Sequence, residues 1–554
     1  HCPAWLMPNY TSIRVTKVVH QQLQGYAESC YDGLSLTAAL GQLLADLGDG
    51  HVRFPEYGLF QCPAHRRERL RAVIGTQPPA GAGDMAGVVA GAGALPADPY
   101  MRVEKDTMGE MEVPADALWG ASTQRAVLNF PVSGLRMGRS FIRALGCIKV
   151  AAARANQQLE LLDSGIAEAV EQAALAVAEG EHDAHFPVDV FQTGSGTSSN
   201  MNANEVIARL ASESLGSRVH PNDHVNLGQS SNDVVPTALH LSALLELHGQ
   251  LLPALLALQT ALEAKAVEFH AVIKTGRTHL MDATPIRLGQ EFEGYAGLVE
   301  RALDRLLVAQ DELAPLALGG TAVGTGVNTH PEFAGLACEE LSLLAGIDVH
   351  ETDNHFLAQS SLDGVLAMGG ALRCLAVALQ KIANDIRWLG SGPRCGLAEI
   401  RLPSVQPGSS IMPGKVNPVI PEAVIQASAQ AIACDTALLQ AAQGGYLELN
   451  TMLPLAAHNL LQAIQLLGAA STIFGEKCIA GLEATSRGPE LLQSGLMLAT
   501  ALAPVVGYEQ ATKIAKAAHA SGRTVLEEAL EITDLPEQEL RELLDPAGMV
   551  APAS

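Results

Sequence analysis

The chemistry open to this chain is concentrated in four short polar clusters set in otherwise apolar sequence. The densest is Pro407-Gly-Ser-Ser-Ile-Met-Pro-Gly-Lys-Val-Asn-Pro418. Its two glycines and three prolines disfavour a helix and favour a defined loop. Ser409, Ser410, Lys415 and Asn417 lie within it, and a hydroxyl close to an ammonium can be activated. An ordinary surface loop is the plain alternative, but it leaves Ile411 and Met412 unexplained beside so polar a set. Thr275-Gly-Arg-Thr-His-Leu-Met-Asp-Ala-Thr-Pro285 places His279 beside Thr278 and Asp282, between apolar helices. A lone histidine there is more often a satisfied buried residue. It becomes an acid–base group if a carboxylate elsewhere tunes it toward neutrality. Thr193-Gly-Ser-Gly-Thr-Ser-Ser-Asn200 is rich in backbone donors and hydroxyls, so Ser195 and Thr197 could help to cradle an anion. A simple turn explains that string as well, and no Gly-Lys-Ser/Thr follows to make it a P-loop. Finally, His220-Pro-Asn-Asp-His-Val-Asn226 and Gln229-Ser-Ser-Asn-Asp233 stand just before a helix predicted from about Val234. N-capping by Ser230, Ser231 or Asn232 accounts for part of this run but not all of it.

Long helices must position these clusters. Amphipathic patterns run over Ser140 to Leu162, Leu247 to Val272 and Glu291 to Leu313, then Phe356 to Gly390, Glu422 to Gln443 and Leu449 to Phe474. Phe292, Tyr295, Val299, Leu303, Leu306 and Leu313 fall on one stripe, the spacing of a buried helical face. Pro253 predicts a start or kink. Strand signals are sparse, so the expected fold is all-α with a long central helix bundle. Leu251, Leu252, Leu255, Leu256, Leu258 and Leu262 cover an arc too wide for a small bundle to hide, which predicts a homo-oligomer.

Bulk properties exclude several function classes. The 554 residues carry a net charge of −24, which argues against nucleic acid and anionic membranes as partners. An acidic substrate remains possible if positive groups are concentrated locally. Nine cysteines without a CxxC pair point to free thiols in a reducing compartment, with neither disulfides nor zinc. The chain opens on His1, the form expected of a fragment or processed product, and no secretory signal is expected. Apolar runs such as Met85 to Leu95 and Leu496 to Val506 are too short to span a membrane. Gln77 to Asp98 reads as a Gly/Ala/Pro-rich linker behind a possible short helix from Leu34 to Leu47. The histidines and cysteines of that region have no metal-ligand spacing.

GSSIMPGKVNP, GSGTSSNMNxNE, HPNDxVNxGQSSND and GRTHLxDATP occur here in the order found in the fumarase/aspartase superfamily. The resemblance runs from about Val103 to Met549 and is closest to the class II, iron-independent fumarases. Aspartases usually carry Gln where His279 stands and Thr where Ser231 stands, whereas NPVIPE after Lys415 leans toward aspartases. The resemblance implies a lyase chain of three parts, 101–228, 229–486 and 487–554, preceded by an extension at 1–100. It implies a homotetramer whose active sites each draw on three subunits, and hydration of fumarate without metal or cofactor in the cytoplasm. Ser409 would be the base, Lys415 and Asn417 would grip the carboxylate that takes up charge, and His279 with Glu422 would orient water. Ser195, Thr197, Ser230, Ser231, Asn232 and Thr278 would hold substrate oxygens. His220, Asn222 and Asp223 would form a second dicarboxylate site. Aspartate ammonia-lyase is the near rival, and a non-catalytic homologue the distant one.

Overall fold

The computed structural model describes residues 101–551. The expected linker and short helix of residues 1–100 lie outside the described residues. A hairpin of β1 (Met101–Asp106) and β2 (Gly109–Pro114) leads into α1 (Ala121–Asn129), α2 (Arg139–Gln158), α3 (Ser164–Glu179), α4 (Thr197–Leu215), α5 (Ser231–Glu246) and α6 (Leu252–Glu268). A second hairpin, β3 (Ile273–Thr278) and β4 (Met281–Arg287), precedes α7 (Leu288–Asp311), α8 (Phe333–Ala345) and α9 (Asp363–Leu389). After the Ser409 loop come α10 (Val419–Ala442), α11 (Leu453–Lys477), α12 (Arg487–Gln493), α13 (Tyr508–Ser521), α14 (Val525–Ile532) and α15 (Glu537–Leu543). The sheets among the described residues are all two-stranded, so the fold is helical as expected.

Two compact units divide the chain, and the divide falls within the long helices. The first holds residues up to Leu252, Leu307–Gly370 and Cys434–Ile464. At its centre α2 is buried on nearly every side and packs against α3, α5 and α8. Repeated alanines (Ala151 to Ala153, Ala155) let neighbouring helices approach that closely. Asp233, in the first turn of α5, is buried and accepts from the amides of Ser230, Gly319 and Thr321 at 2.9, 3.0 and 2.9 Å. Those bonds tie the start of α5 to the loop after Leu318. Burial raises the Asp233 carboxyl, and the three amides oppose that shift.

The second unit holds Pro253–Leu306, Ala371–Ala433 and Gln465 onward. Phe269, Phe292 and Tyr295 stack edge to face in its core, with centroids 5.1 and 5.5 Å apart. Residues 499–544 add a small core of their own, around Leu502, Ile514, Val525 and Leu540. Strand β3 is held from behind by a buried ionic cluster. Lys274 Nζ lies 3.0 Å from Glu291 and 3.1 Å from Glu399, and Arg277 binds both oxygens of Glu399 at 3.1 and 2.8 Å. Burial raises the Glu291 carboxyl, and the Lys274 ammonium pulls it down. Glu399 is shared by two cations and is almost fully buried. Glu399→Gln should therefore cost about 3 kcal/mol of stability, because it strands buried positive charge. Urea unfolding followed by circular dichroism checks this, and an unchanged midpoint would refute it.

Three expectations are corrected. The expected helix over Leu247 to Val272 starts earlier and widens at Leu247–Leu251 into one π-helical turn just before Pro253. Proline has no amide to donate to the residue four before it, and a one-residue expansion absorbs that loss. Of the six leucines, Leu251, Leu252, Leu255, Leu258 and Leu262 are wholly buried within the single chain and only Leu256 is partly exposed, so they leave little bare surface. Among the described residues, the large apolar side chains left more than half exposed on the long helices α6, α7, α9 and α10 are Val267, Val308, Val377, Trp388 and Leu439. Finally, Ser231–Glu268 and Asp363–Leu389 are long and apolar enough to cross a bilayer by length and composition, with 56% of each window buried. Contiguous-run counting missed them because single polar residues such as Asp233, Thr237 and Gln259 interrupt the sequence. Helices apolar on most sides are also what the centre of a large bundle requires.

Candidate active site

In the first unit, two helix N-termini bring hydroxyls together. Thr197 is the first residue of α4 and Ser231 the first of α5. Their oxygens are 2.7 Å apart. Each helix end presents unsatisfied amides and the positive end of its dipole, so the pair sits where negative charge is favoured. Ser230 caps α5: its oxygen accepts from the Asn232 amide at 3.2 Å, in a reciprocal box with Asp233. That leaves the Ser230 proton to be donated elsewhere. Asn232 donates to the Ala322 carbonyl at 2.8 Å, which uses one of its two amide hydrogens. Ser195 is half-buried in the tight turn before α4 and makes no side-chain hydrogen bond among the described residues.

Behind this pair lies a buried polar network. Asn200 donates to Ser231 Oγ at 2.9 Å and to Asn226 Oδ1 at 3.2 Å, and Lys149 Nζ donates to Asn226 and Gln229 at 2.9 Å each. Burial pushes the Lys149 ammonium down to about 7, against the pull of the Asp233 carboxylate. The sequence clusters contained Asn200, Asn226 and Gln229 without giving them a role, and Lys149 was missed. Its signal was a single charge inside the apolar run from Ala144 to Ala153.

His220 caps the single π-helical turn, Pro221–Val225, that carries Asn222 and Asp223. The ring Nδ1 of His220 accepts from the amides of Asn222 and Asp223 at 3.3 and 3.1 Å. A nitrogen that accepts two amides holds no proton, so its 3.2 Å approach to the Asp223 carboxylate is not an ion pair. An anion bound to these amides would have to displace the ring. His224 holds the turn from the other side, accepting from the His220 amide at 3.0 Å.

The second unit carries the remaining candidates. His279 lies neither between helices nor buried. It is at the exposed tip of the β3–β4 hairpin, and makes no hydrogen bond among the described residues. His279 and Leu280 both have positive φ, 56° and 60°. A two-residue turn of that kind favours Asn-Gly, so the tip is strained, and such strain collects at functional sites. Thr278 pairs with Met281 at the same tip.

The Gly408–Pro418 segment is a closed loop. Gly408 N donates to Lys415 O at 2.8 Å, and Asn417 Nδ2 donates back to Gly408 O at 2.7 Å. A Cβ at 408 would lie 2.6 Å from Lys415 O and 2.7 Å from Asn417 N, so only glycine closes it. Ser409 Oγ accepts from the amides of Ile411 and Met412 at 3.2 and 2.9 Å. Two fixed amides on one hydroxyl oxygen are a ready-made cradle for its ionised form. Ile411 itself is highly exposed, in a loop open to solvent. Lys415 and Asn417 line an open cavity of about 980 Å³ with Glu422, Arg387, Trp388 and Arg487. Glu422 stands in the first turn of α10. No hydrogen bond joins it to His279 among the described residues. The guanidiniums and Lys415 make this wall cationic in a chain of net charge −24, the local concentration an acidic substrate needs.

Comparison with known proteins gives one consistent answer. The lyase family matches residues 109–433, and the fumarase C C-terminal family matches 498–551. A protein of Pseudomonas aeruginosa named fumarate hydratase class II 2 is 52% identical over 451 residues, 81% of this chain and 98% of that one. A fumarate hydratase class II of Halobacterium salinarum is 54% identical over 454 residues, 81% of this chain and 97% of its own. Among solved structures, a class II fumarase from Schistosoma mansoni superposes with a TM-score of 0.80 at 38% identity, covering 82% of this chain and 100% of that one. A Brucella melitensis protein described as fumarate lyase:delta crystallin follows at 0.78 and 46% identity, covering 82% and 100%.

Proposed function

The chain belongs to the class II fumarate hydratase family, and from that premise we propose how its residues add water to fumarate and remove it from (S)-malate. The observation that carries the proposal is the doubly cradled Ser409 oxygen, in a loop whose Lys415 and Asn417 line a cationic cavity.

Removing a proton from the carbon next to a carboxylate requires that the resulting doubly charged aci-carboxylate be stabilised as it forms. Ser409 is the base. Its alkoxide is accessible because the Ile411 and Met412 amides already point at the oxygen and Lys415 adds a nearby positive charge. Lys415 and Asn417 take the carboxylate that gains charge. The hydroxyls of Thr197, Ser230 and Ser231, with Ser195, Asn232 and Thr278, hold the substrate's other oxygens. On the opposite face His279 and Glu422 orient the water. Among the described residues of one chain His279 has no hydrogen-bond partner, which supports a relay in which His279 of one subunit meets Glu422 of another. The enzyme is accordingly a homotetramer whose sites each draw on three subunits. His220, Asn222 and Asp223 form a second, non-catalytic dicarboxylate site, entered when the His220 ring swings aside.

A reducing, cytoplasmic setting is supported by the free thiols of Cys147, Cys338, Cys374, Cys395, Cys434 and Cys478. Aspartate ammonia-lyase is not favoured, since the named relatives are hydratases. Purified protein in ammonium-free buffer should make the ultraviolet absorbance of fumarate fall toward an equilibrium with malate. A fall that requires added ammonium would replace this reading with the ammonia-lyase one.

A further inference from the structure

Lys149 lies in the middle of α2 with no exposed surface, far from any solvent-facing role. Its Nζ is 2.9 Å from Asn226 Oδ1 and 2.9 Å from Gln229 Oε1. Both partners are carbonyl oxygens, so the lysine donates to each whether it is charged or neutral. That fixes both amides. Asn226 turns its nitrogen to the Gln229 carbonyl at 3.1 Å, and Gln229 turns its own to the carbonyls of Val225 and Leu227 at 3.2 and 3.1 Å. The Asn226 oxygen, now facing inward, also accepts from Asn200 and Asn204 at 3.2 Å each. With its nitrogen held there, Asn200 gives its second amide hydrogen to Ser231 Oγ at 2.9 Å.

The consequence reaches the surface of the site. Ser231 Oγ and Thr197 Oγ1 are 2.7 Å apart and share two protons between them. One proton makes their mutual bond, and a lone pair of Ser231 is taken from within by Asn200. The second proton, which the Asn200 amide keeps from pointing inward, is left to face outward beside the pair's remaining lone pairs. We propose that Lys149 is a positioning residue for substrate binding: through Asn226 and Asn200 it obliges the Thr197–Ser231 pair to present a donor, which selects a carboxylate over a ligand that itself donates.

The network shows what this orientation overrides. Oδ1 of Asn200 and Oδ1 of Asn204 are both buried without a partner among the described residues. An arrangement chosen for the number of hydrogen bonds would not leave both oxygens unpaired. The chain of donors runs one way, from the lysine through two amides to the hydroxyls, and Lys149 sets its direction.

This inference rests on the reading of Thr197 and Ser231 as carboxylate-holding groups, and a double-mutant cycle in the full-length protein tests it. In Lys149→Met, a side chain of similar length without donors, KM for fumarate should rise about tenfold, with kcat changed less. In a Ser231→Ala background the same change should add less than about twofold, because the two residues act on one hydroxyl. Asn200→Leu leaves both Lys149 bonds in place, should repeat the KM rise, and decides the matter if Lys149→Met does not fold. Additive effects on KM, or an unchanged KM beside a lowered melting temperature, would show a purely structural lysine and overturn the proposal. Calorimetric binding of succinate, read through the same cycle, keeps the two claims apart. Coupling there with no fumarate hydration by wild type would sink the functional reading alone. Hydration without coupling would sink this inference alone.

Discussion

Ser409→Ala is expected to lower kcat for fumarate hydration about a thousandfold, the usual worth of a positioned general base, with KM nearly unchanged. The variant removes only the oxygen that the Ile411 and Met412 amides hold. The loop itself is closed by other bonds, Gly408 N to Lys415 O and Asn417 Nδ2 to Gly408 O, so its shape should survive. Steady-state kinetics with sedimentation of the same sample distinguishes the cases. A large loss in kcat with intact assembly fits the base. A raised KM with near-normal kcat would make Ser409 a binding residue, and wild-type turnover would remove it from the mechanism. The two amides also explain why Ser409 outranks its neighbour Ser410, whose oxygen no described amide approaches.

How much of this was legible in the sequence follows from how local each signal is. The stripe of Phe292, Tyr295, Val299, Leu303 and Leu306 was readable because helical period acts over a few residues, and all five are buried. The Gly408–Pro418 loop was readable for the same reason: its glycines and prolines exclude the helix on either side. The β3–β4 hairpin was not. Its turn is His279-Leu280, which lacks the Asn-Gly signature that marks such turns, and the strain it accepts is visible only in φ. The supports of the site were hidden for a different reason. Arg277 meets Glu399 across 122 positions, and Lys149 meets Asn226 and Gln229 across 77 and 80. No local pattern announces pairings of that range. The leucines from Leu251 to Leu262 misled in the opposite sense, since five of the six in an arc that looked too wide to bury are covered within a single chain.

The placement of candidates in two separate sets has a consequence for activity in mixtures. If each site takes Ser409 from one subunit and Ser231 from another, then Ser409→Ala and Ser231→Ala proteins, assayed at a fumarate concentration low enough that the raised KM of the second leaves it nearly inactive, should restore activity when co-assembled. A site works when the subunit supplying Ser409 is the Ser231 variant and the subunit supplying Ser231 is the Ser409 variant. Random mixing at equal amounts makes that combination at about a quarter of sites, so about a quarter of wild-type turnover should return. Simple mixing without subunit exchange should return none, and co-expression or unfolding and refolding together provides the exchange. Recovery near a quarter would require shared sites, because no subunit in the mixture carries both residues. No recovery in verified hybrid tetramers would mean that one subunit supplies both, and the three-subunit site would have to be abandoned. Dilution to monomer gives the converse check: shared sites come apart with the tetramer and activity goes to zero, whereas a self-contained site keeps turning over.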